Sequence, residues 1–155
     1  MTFEQRIESY LAGPELLAQS IRGMTDAQLD IAPVPGQWTT RQVVAHIADF
    51  EPVYADRMKR VIAEEQPTFF GGDPDLFAAR LAYENRNMEE ELNLIRAVRR
   101  HVARLFRSMD PAVLERTGNH SEDGPITLEV LLSRITDHIP HHVSFIHQKR
   151  EAMSR

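Results

Sequence analysis

Two histidines four residues apart, His138 and His142 within TDHIPHHVSFIHQ, and a third far upstream, His46 in TTRQVVAHIADF, are the side chains of this 155-residue chain whose types and spacing could do chemistry. On a helix, positions i and i+4 share one face about one turn apart, so a single divalent ion could sit between His138 and His142 while His46 reaches in from a second helix. Three nitrogen donors leave coordination positions vacant. A site of that kind can bind and activate water, a thiol or a carbonyl oxygen. The spacing alone is equally that of ordinary surface or hydrogen-bonded histidines, because the chain holds seven of them and His141 adjoins His142. Asp49, three residues after His46, is the candidate catalytic side chain: from one turn away it could orient a ligand or take a proton from bound water.

Composition narrows the chemistry. Cysteine is absent, which excludes disulfides, thiolate zinc sites and a cysteine nucleophile, so any metal must rely on histidine, carboxylate and water. Zinc, nickel and iron all suit imidazole donors. The net charge of −5, with acidic and basic residues interspersed, provides no positive field for a polyphosphate backbone, so nucleic-acid binding is disfavoured. No apolar run approaches the roughly 20 residues that span a bilayer, and MTFEQRIESY lacks a basic segment followed by a hydrophobic one. A cytoplasmic protein with no membrane partner is the expectation, as one domain over residues 1–155 with a small-molecule substrate.

The elements that must position the histidines are helices, since the apolar spacing is helical almost throughout and sustained strand-like alternation is missing. Phe3, Ile7, Tyr10 and Leu11 begin a first helix that Gly13-Pro14 should kink before Leu16, Leu17, Ile21 and Met24 continue it. Thr25 and Gln28 have capping-box spacing for one short turn. Thr39 and Gln42 have it again for a second long helix, which carries His46 and an apolar stripe from Val43 to Ile62. Asp73-Pro74 caps a further helix, and Leu81, Met88, Ile95, Val102 and Met109 recur every seven residues, with a break expected before about residue 87. Asn85 and Arg99 interrupt that seam and could either face a substrate or set the helix register. Trp38 reads as a packing anchor at a helix start, and the Arg96/Arg99/Arg100/Arg104/Arg107 group as a solvated helix face. Thr117 to Pro125 reads as a loop whose His120 is exposed, followed by Thr127 capping the last helix. Four amphipathic helices joined by short connections make a four-helix bundle, all-α, with short extra helical turns in the connections. Pro52 and Pro140 lie inside two of these helices, where each removes a backbone hydrogen bond and should bend the helix near a proposed ligand.

The run from Pro35 to Asp49, PGQWTTRQVVAHIAD, resembles the PGxWSxRQVxxHxxD segment of the DinB/YfiT-like metal-dependent enzyme superfamily. Downstream, Asn119 to Gly124, then Thr127-Leu128, then Asp137-His138 through His142, is similar to that superfamily's HPExG, TL and HxxxH signature, in the same order and at similar separations. The likeness spans about residues 14–150. Ser121 and Asp123 depart from the HPExG pattern, and Pro140 lies inside HxxxH. The resemblance implies a DinB-like four-helix bundle, often a homodimer, with a divalent metal held by His46, His138 and His142. It implies a metal-dependent hydrolase, or an enzyme transferring low-molecular-weight thiols with such a thiol as cosubstrate. The alternative is a non-catalytic metal-binding bundle acting in ligand binding or sensing.

Overall fold

Each long helix begins where a side chain replaces the amides that a helix start leaves without partners. The computed structural model describes residues 1–155 and contains α1 (Phe3–Ser20), α2 (Asp26–Leu29), α3 (Thr40–Ala63), α4 (Pro74–Arg80), α5 (Met88–Arg107) and α6 (Leu128–Met153). Thr2, Thr25 and Thr39 close capping boxes with Gln5, Gln28 and Gln42, and Asp73, Asn87 and Thr127 cap the other helices. At the far end of α3, Arg116 donates to the carbonyls of Val61 at 2.8 Å and Glu64 at 2.9 Å, supplying a cation where the helix dipole is negative. The heptad stretch is interrupted as expected: single-turn 3₁₀ geometry at Tyr83–Asn85 precedes the start of α5. Leu81, the first residue of the proposed seam, lies outside both α4 and α5 and is exposed.

α1, α3, α5 and α6 pack as a ring in which α1 lies beside α6 and α5, and α3 beside α5 and α6. The order of buried residues gives the direction of each helix. One half of the core holds Ile7 and Tyr10 of α1, Ala55, Met58 and Val61 of α3, Val102 and Phe106 of α5, and Leu128 to Ile135 of α6. The other half holds Leu17, then Val43 to Ala48, then Leu92 and Ile95, then Ile139 to Ile146. So α1 runs parallel to α6 and α3 parallel to α5, an arrangement in which the connection from α3 to α5 is a long crossover rather than a hairpin.

Between the two halves lies one charged layer. Arg99 of α5 is 0% exposed. Its Nε and Nη2 donate to Glu51 Oε1 of α3 at 3.0 and 2.6 Å, Nη1 donates to the Tyr10 carbonyl of α1 at 2.6 Å, and Nη2 donates to the Ile135 carbonyl of α6 at 2.8 Å. One guanidinium therefore joins all four helices. Pro14 explains the Tyr10 contact: proline has no N–H, so the carbonyl four residues earlier has no helical partner and is free for Arg99. Gly13 explains the approach, because a Cβ there would lie 2.4 Å from Arg99 Nη1 and 3.0 Å from Ile139 Cδ1. Gly13-Pro14 is thus no break. α1 runs unbroken through it, as α3 and α6 run through Pro52 and Pro140. Arg99 likewise departs from the solvated arginine face assigned to it.

The Thr117–Pro125 segment is also not a loop. β2 (Thr117–His120) pairs antiparallel with β3 (Gly124–Thr127) and parallel with β1 (Thr68–Phe69). Strands this short, rich in Gly, Asn and Pro, show no alternation, and their pairing is imposed by packing on α3. At Gly118 a Cβ would meet Phe69 Cε1 at 2.6 Å and Val61 Cγ2 at 2.9 Å, so only glycine lets the strand approach.

Arg99→Met leaves the Glu51 carboxylate buried without its cation, and urea unfolding should register a loss of about 3–5 kcal/mol. Adding Glu51→Gln should recover a large part of it; independent, additive losses would show that the two do not act as a pair. Gly13→Ala should cost about 1–3 kcal/mol through overpacking against Arg99, despite the better helix propensity of alanine.

Candidate metal centre

His46 lies on α3 and His138 and His142 on α6, two antiparallel neighbours, so side chains far apart in sequence meet across one helix interface. The Nε2 atom of His138 is 2.9 Å from that of His46 and 3.1 Å from that of His142, and the three donor atoms lie within 4.8 Å of one another. Pro140 leaves the i,i+4 relation intact: α6 is continuous, and the His138 and His142 rings are 4.6 Å apart between centroids.

All three rings are held neutral. Burial pushes the His46 pKa down to about 4 against the upward pull of the Asp49 carboxylate. Burial, reinforced by the neighbouring histidines, brings His142 to about 3 and His138 to about 2. Two neutral imidazole nitrogens at such separations repel unless a proton or a cation lies between them. Tetrahedral coordination at about 2.0–2.1 Å places nitrogen ligands about 3.3 Å apart, close to the 2.9 and 3.1 Å that His138 Nε2 makes with its two neighbours. The donor set therefore fits one divalent ion, with no carboxylate among the ligands.

Packing orients the rings. Trp38 packs against His46 at 5.1 Å between centroids and Phe50 at 4.9 Å, both rings tilted to the imidazole. The Nδ1 atoms of His46 and His138 are buried without hydrogen-bond partners, whereas imidazole ligands commonly donate that N–H to a carboxylate or carbonyl. Aromatic walls take over the positioning that such partners supply elsewhere.

Asp49 does not join the three histidines. Arg86, just before α5, holds its carboxylate in a fork, Nη1 to Oδ1 and Nη2 to Oδ2, both 2.9 Å, and also reaches Glu91 at 3.1 Å. The same guanidinium lies 5.2 Å from the Tyr83 ring, whose edge meets Trp38. Asp49 thus touches the site through its field on His46. His120, expected to be an exposed loop residue, is 8% exposed and turned into the hairpin, where its Nδ1 accepts from the amides of Glu122 at 3.0 Å and Asp123 at 3.2 Å. His101, His147 and Asn85 are exposed.

Beside His142 opens a cavity of about 310 Å³ lined by Gly36, Gln37, Trp38, Val43, Phe145 and Lys149. Trp38 is therefore both the packing anchor expected and part of the cavity wall. Sequence reasoning passed over Phe145 and Lys149. They follow His142 by three and seven residues, the same helical stripe as the histidine pair, and that spacing was the available signal.

A family model described as the DinB superfamily matches residues 10–146. A protein of Oceanobacillus iheyensis named "Putative metal-dependent hydrolase" is 33% identical over 133 residues, covering 86% of this chain and 77% of its own. A Bacillus mycoides protein of the same description is 30% identical over 141 residues, covering 91% and 81%. Among solved structures, YfiT from Bacillus subtilis, described as "a probable metal-dependent hydrolase with an unusual four-helix bundle topology", superposes with a TM-score of 0.91 at 27% identity over 98% of this chain and 87% of that one. A mycothiol-dependent maleylpyruvate isomerase shares the fold, with a TM-score of 0.71 at 14% identity over 93% and 60%. With the family model covering most of the bundle, including all three histidines, the chain belongs to the DinB superfamily.

Proposed function

We propose that this protein is a metal-dependent enzyme, a hydrolase or a thiol S-transferase, in which His46, His138 and His142 hold one divalent ion at the mouth of the cavity beside His142. The observation that carries the reading is the convergence of three Nε2 atoms from two helices, with a cavity on one side and no carboxylate closing the set. A bound divalent ion would supply Lewis acidity, lowering the pKa of water or of a low-molecular-weight thiol toward neutrality. The names of the relatives point to hydrolysis. Thiol chemistry has its own support in the donor set: neutral nitrogens leave the full charge of the ion to an incoming anion.

The protein's own contribution is to keep the donors ready and the site shaped. Burial holds the imidazoles deprotonated at neutral pH, so no base has to strip them before a ligand arrives. Trp38 and Phe50 clamp His46 and exclude water from its sides. The Asp49–Arg86 fork fixes the helix turn behind His46; Asp49 is a positioning residue with a favourable field, and both its oxygens are already engaged.

Untagged protein should bind zinc or nickel near one equivalent by elemental analysis, and excess metal should raise its melting temperature; at 100 times Kd the gain is about 2.7 kcal/mol. Replacing His46, His138 or His142 by alanine should abolish that gain and turnover in an ester, amide and thiol-transfer screen while far-ultraviolet circular dichroism stays helical. Metal that binds undiminished in all three variants would remove the site. Turnover absent but metal-dependent stabilisation present would point to the sensing bundle.

The metal-free protein should also lose stability in acid. Each folded histidine value lies below the unfolded value of about 6.5, so below that pH the unfolded chain binds more protons than the native one. This share of stability is complete above about pH 6.5 and disappears as the pH falls toward 4 for His46 and 3 for His142. Urea unfolding at about pH 6.5, 5.5 and 4.5 should show a steeper decline for the wild type than for the His46→Gln/His138→Gln/His142→Gln variant.

A further inference from the structure

Lys149 on α6 is the one charged side chain of the cavity, and the chemistry above leaves it unused. It is 3% exposed. It takes part in no ion pair and no hydrogen bond, and its ammonium has only the Phe145 ring, 5.9 Å away to the centroid. Burial alone displaces its pKa, downward, with no carboxylate opposing the shift. The mostly buried arginines are different: Arg99 has Glu51, Arg41 has Asp30 and Asp26, and Arg57 has the Phe70 carbonyl. The stem is buried while Nζ keeps access to the cavity. A partly desolvated cation without a counter-charge is still costly, and a cation–π contact offsets only part of the lost hydration.

Its position supplies a reason. His138, His142, Phe145 and Lys149 follow one another at spacings of four, three and four, a single stripe along α6. Seven residues put Lys149 about 10.5 Å beyond His142 along the axis, and side chains on a helix lean back toward its N-terminus, over the intervening turn. His142 and Lys149 line the same cavity. Trp38, Val43 and Phe145 line it too, together with the exposed Gln37.

We propose that Lys149 is the anion-binding end of the cavity, and that the substrates are small molecules with a carboxylate at this end, an apolar or aromatic body against Trp38 and Phe145, and the reacting group at the histidines. The last clause rests on the metal-dependent reading; the anion site does not. One ammonium with no arginine fork beside it matches a monoanion, since a phosphate dianion calls for more donors than this wall presents.

Trp38 is the only tryptophan, so its fluorescence reports on this cavity. Metal-free protein, in which a carboxylate cannot bind an ion instead, is titrated with 3-phenylpropionate and with its neutral amide. The carboxylate should bind at least about tenfold tighter; Lys149→Met should bring the two within about twofold, and Lys149→Arg should keep most of the preference. The Lys149→Met protein should melt at or above the wild-type temperature, because a partly desolvated charge without a partner has been removed while the packed stem is kept. A wild-type preference below about threefold would overturn the proposal, as would a preference that survives in Lys149→Met, or a marked fall in that variant's melting temperature. Zinc affinity, measured separately, should be the same in wild type and Lys149→Met. Zinc that fails to bind either protein, with the Lys149-dependent preference intact, would sink the metal reading and leave the anion site standing.

Discussion

The bundle depends on where the Arg99 guanidinium puts its protons. A cation removed from water between two apolar half-cores must have its nitrogens answered, and all three find acceptors on α1, α3 and α6. Those partners set the heights of the helices relative to one another. Glu51 lies five residues after His46, and Ile135 three residues before His138. Sliding α3 against α6 by one turn would break the charged layer and separate the Nε2 atoms together. The layer that registers the fold therefore also assembles the donor cluster, which is the use of a buried polar group best supported by physical argument.

The histidines are positioned by apolar surfaces. Trp38, Phe50 and the Tyr83 contact behind Trp38 hold the His46 ring, whose Nδ1 has no acceptor. Aromatic packing fixes a plane without adding negative charge, and Lys149 is the one charged side chain of the cavity on a chain whose net charge is −5. Local field and overall charge thus have opposite signs. A small anion is attracted at short range, where screening is weak, while a polyanion meets the acidic exterior first.

Prolines inside helices have different consequences here. Pro14 frees a carbonyl that Arg99 takes up, so its missing hydrogen bond is replaced by a stronger, charge-assisted one. Pro140 lies between two site histidines, and the helix carries both rings on one face all the same. A proline is thus read correctly only together with what donates to the carbonyl it orphans. That partner can lie far along the chain, as Arg99 does from Pro14.

Much of this protein was legible in the one-dimensional pattern. Thr25, Thr39, Asp73 and Thr127 announced their helix starts, because capping is a local contest between a side chain and the first few amides. The apolar spacing announced the bundle, and the histidines, with the motifs around them, announced which side chains would gather. Long-range properties were not legible. Arg99 in sequence looks like its solvated neighbours Arg96 and Arg100; only the arrival of Gly13, Pro14 and Glu51 makes it the hub of the core. The short strands at Thr68 and Thr117 carry no alternation of their own and pair because Gly118 fits against Phe69 and Val61. Asp49 and Lys149 mark the same divide: sequence places each near a histidine, but whether a charge is answered depends on what other helices bring to it. The Arg86 fork reached Asp49, and no carboxylate reached Lys149.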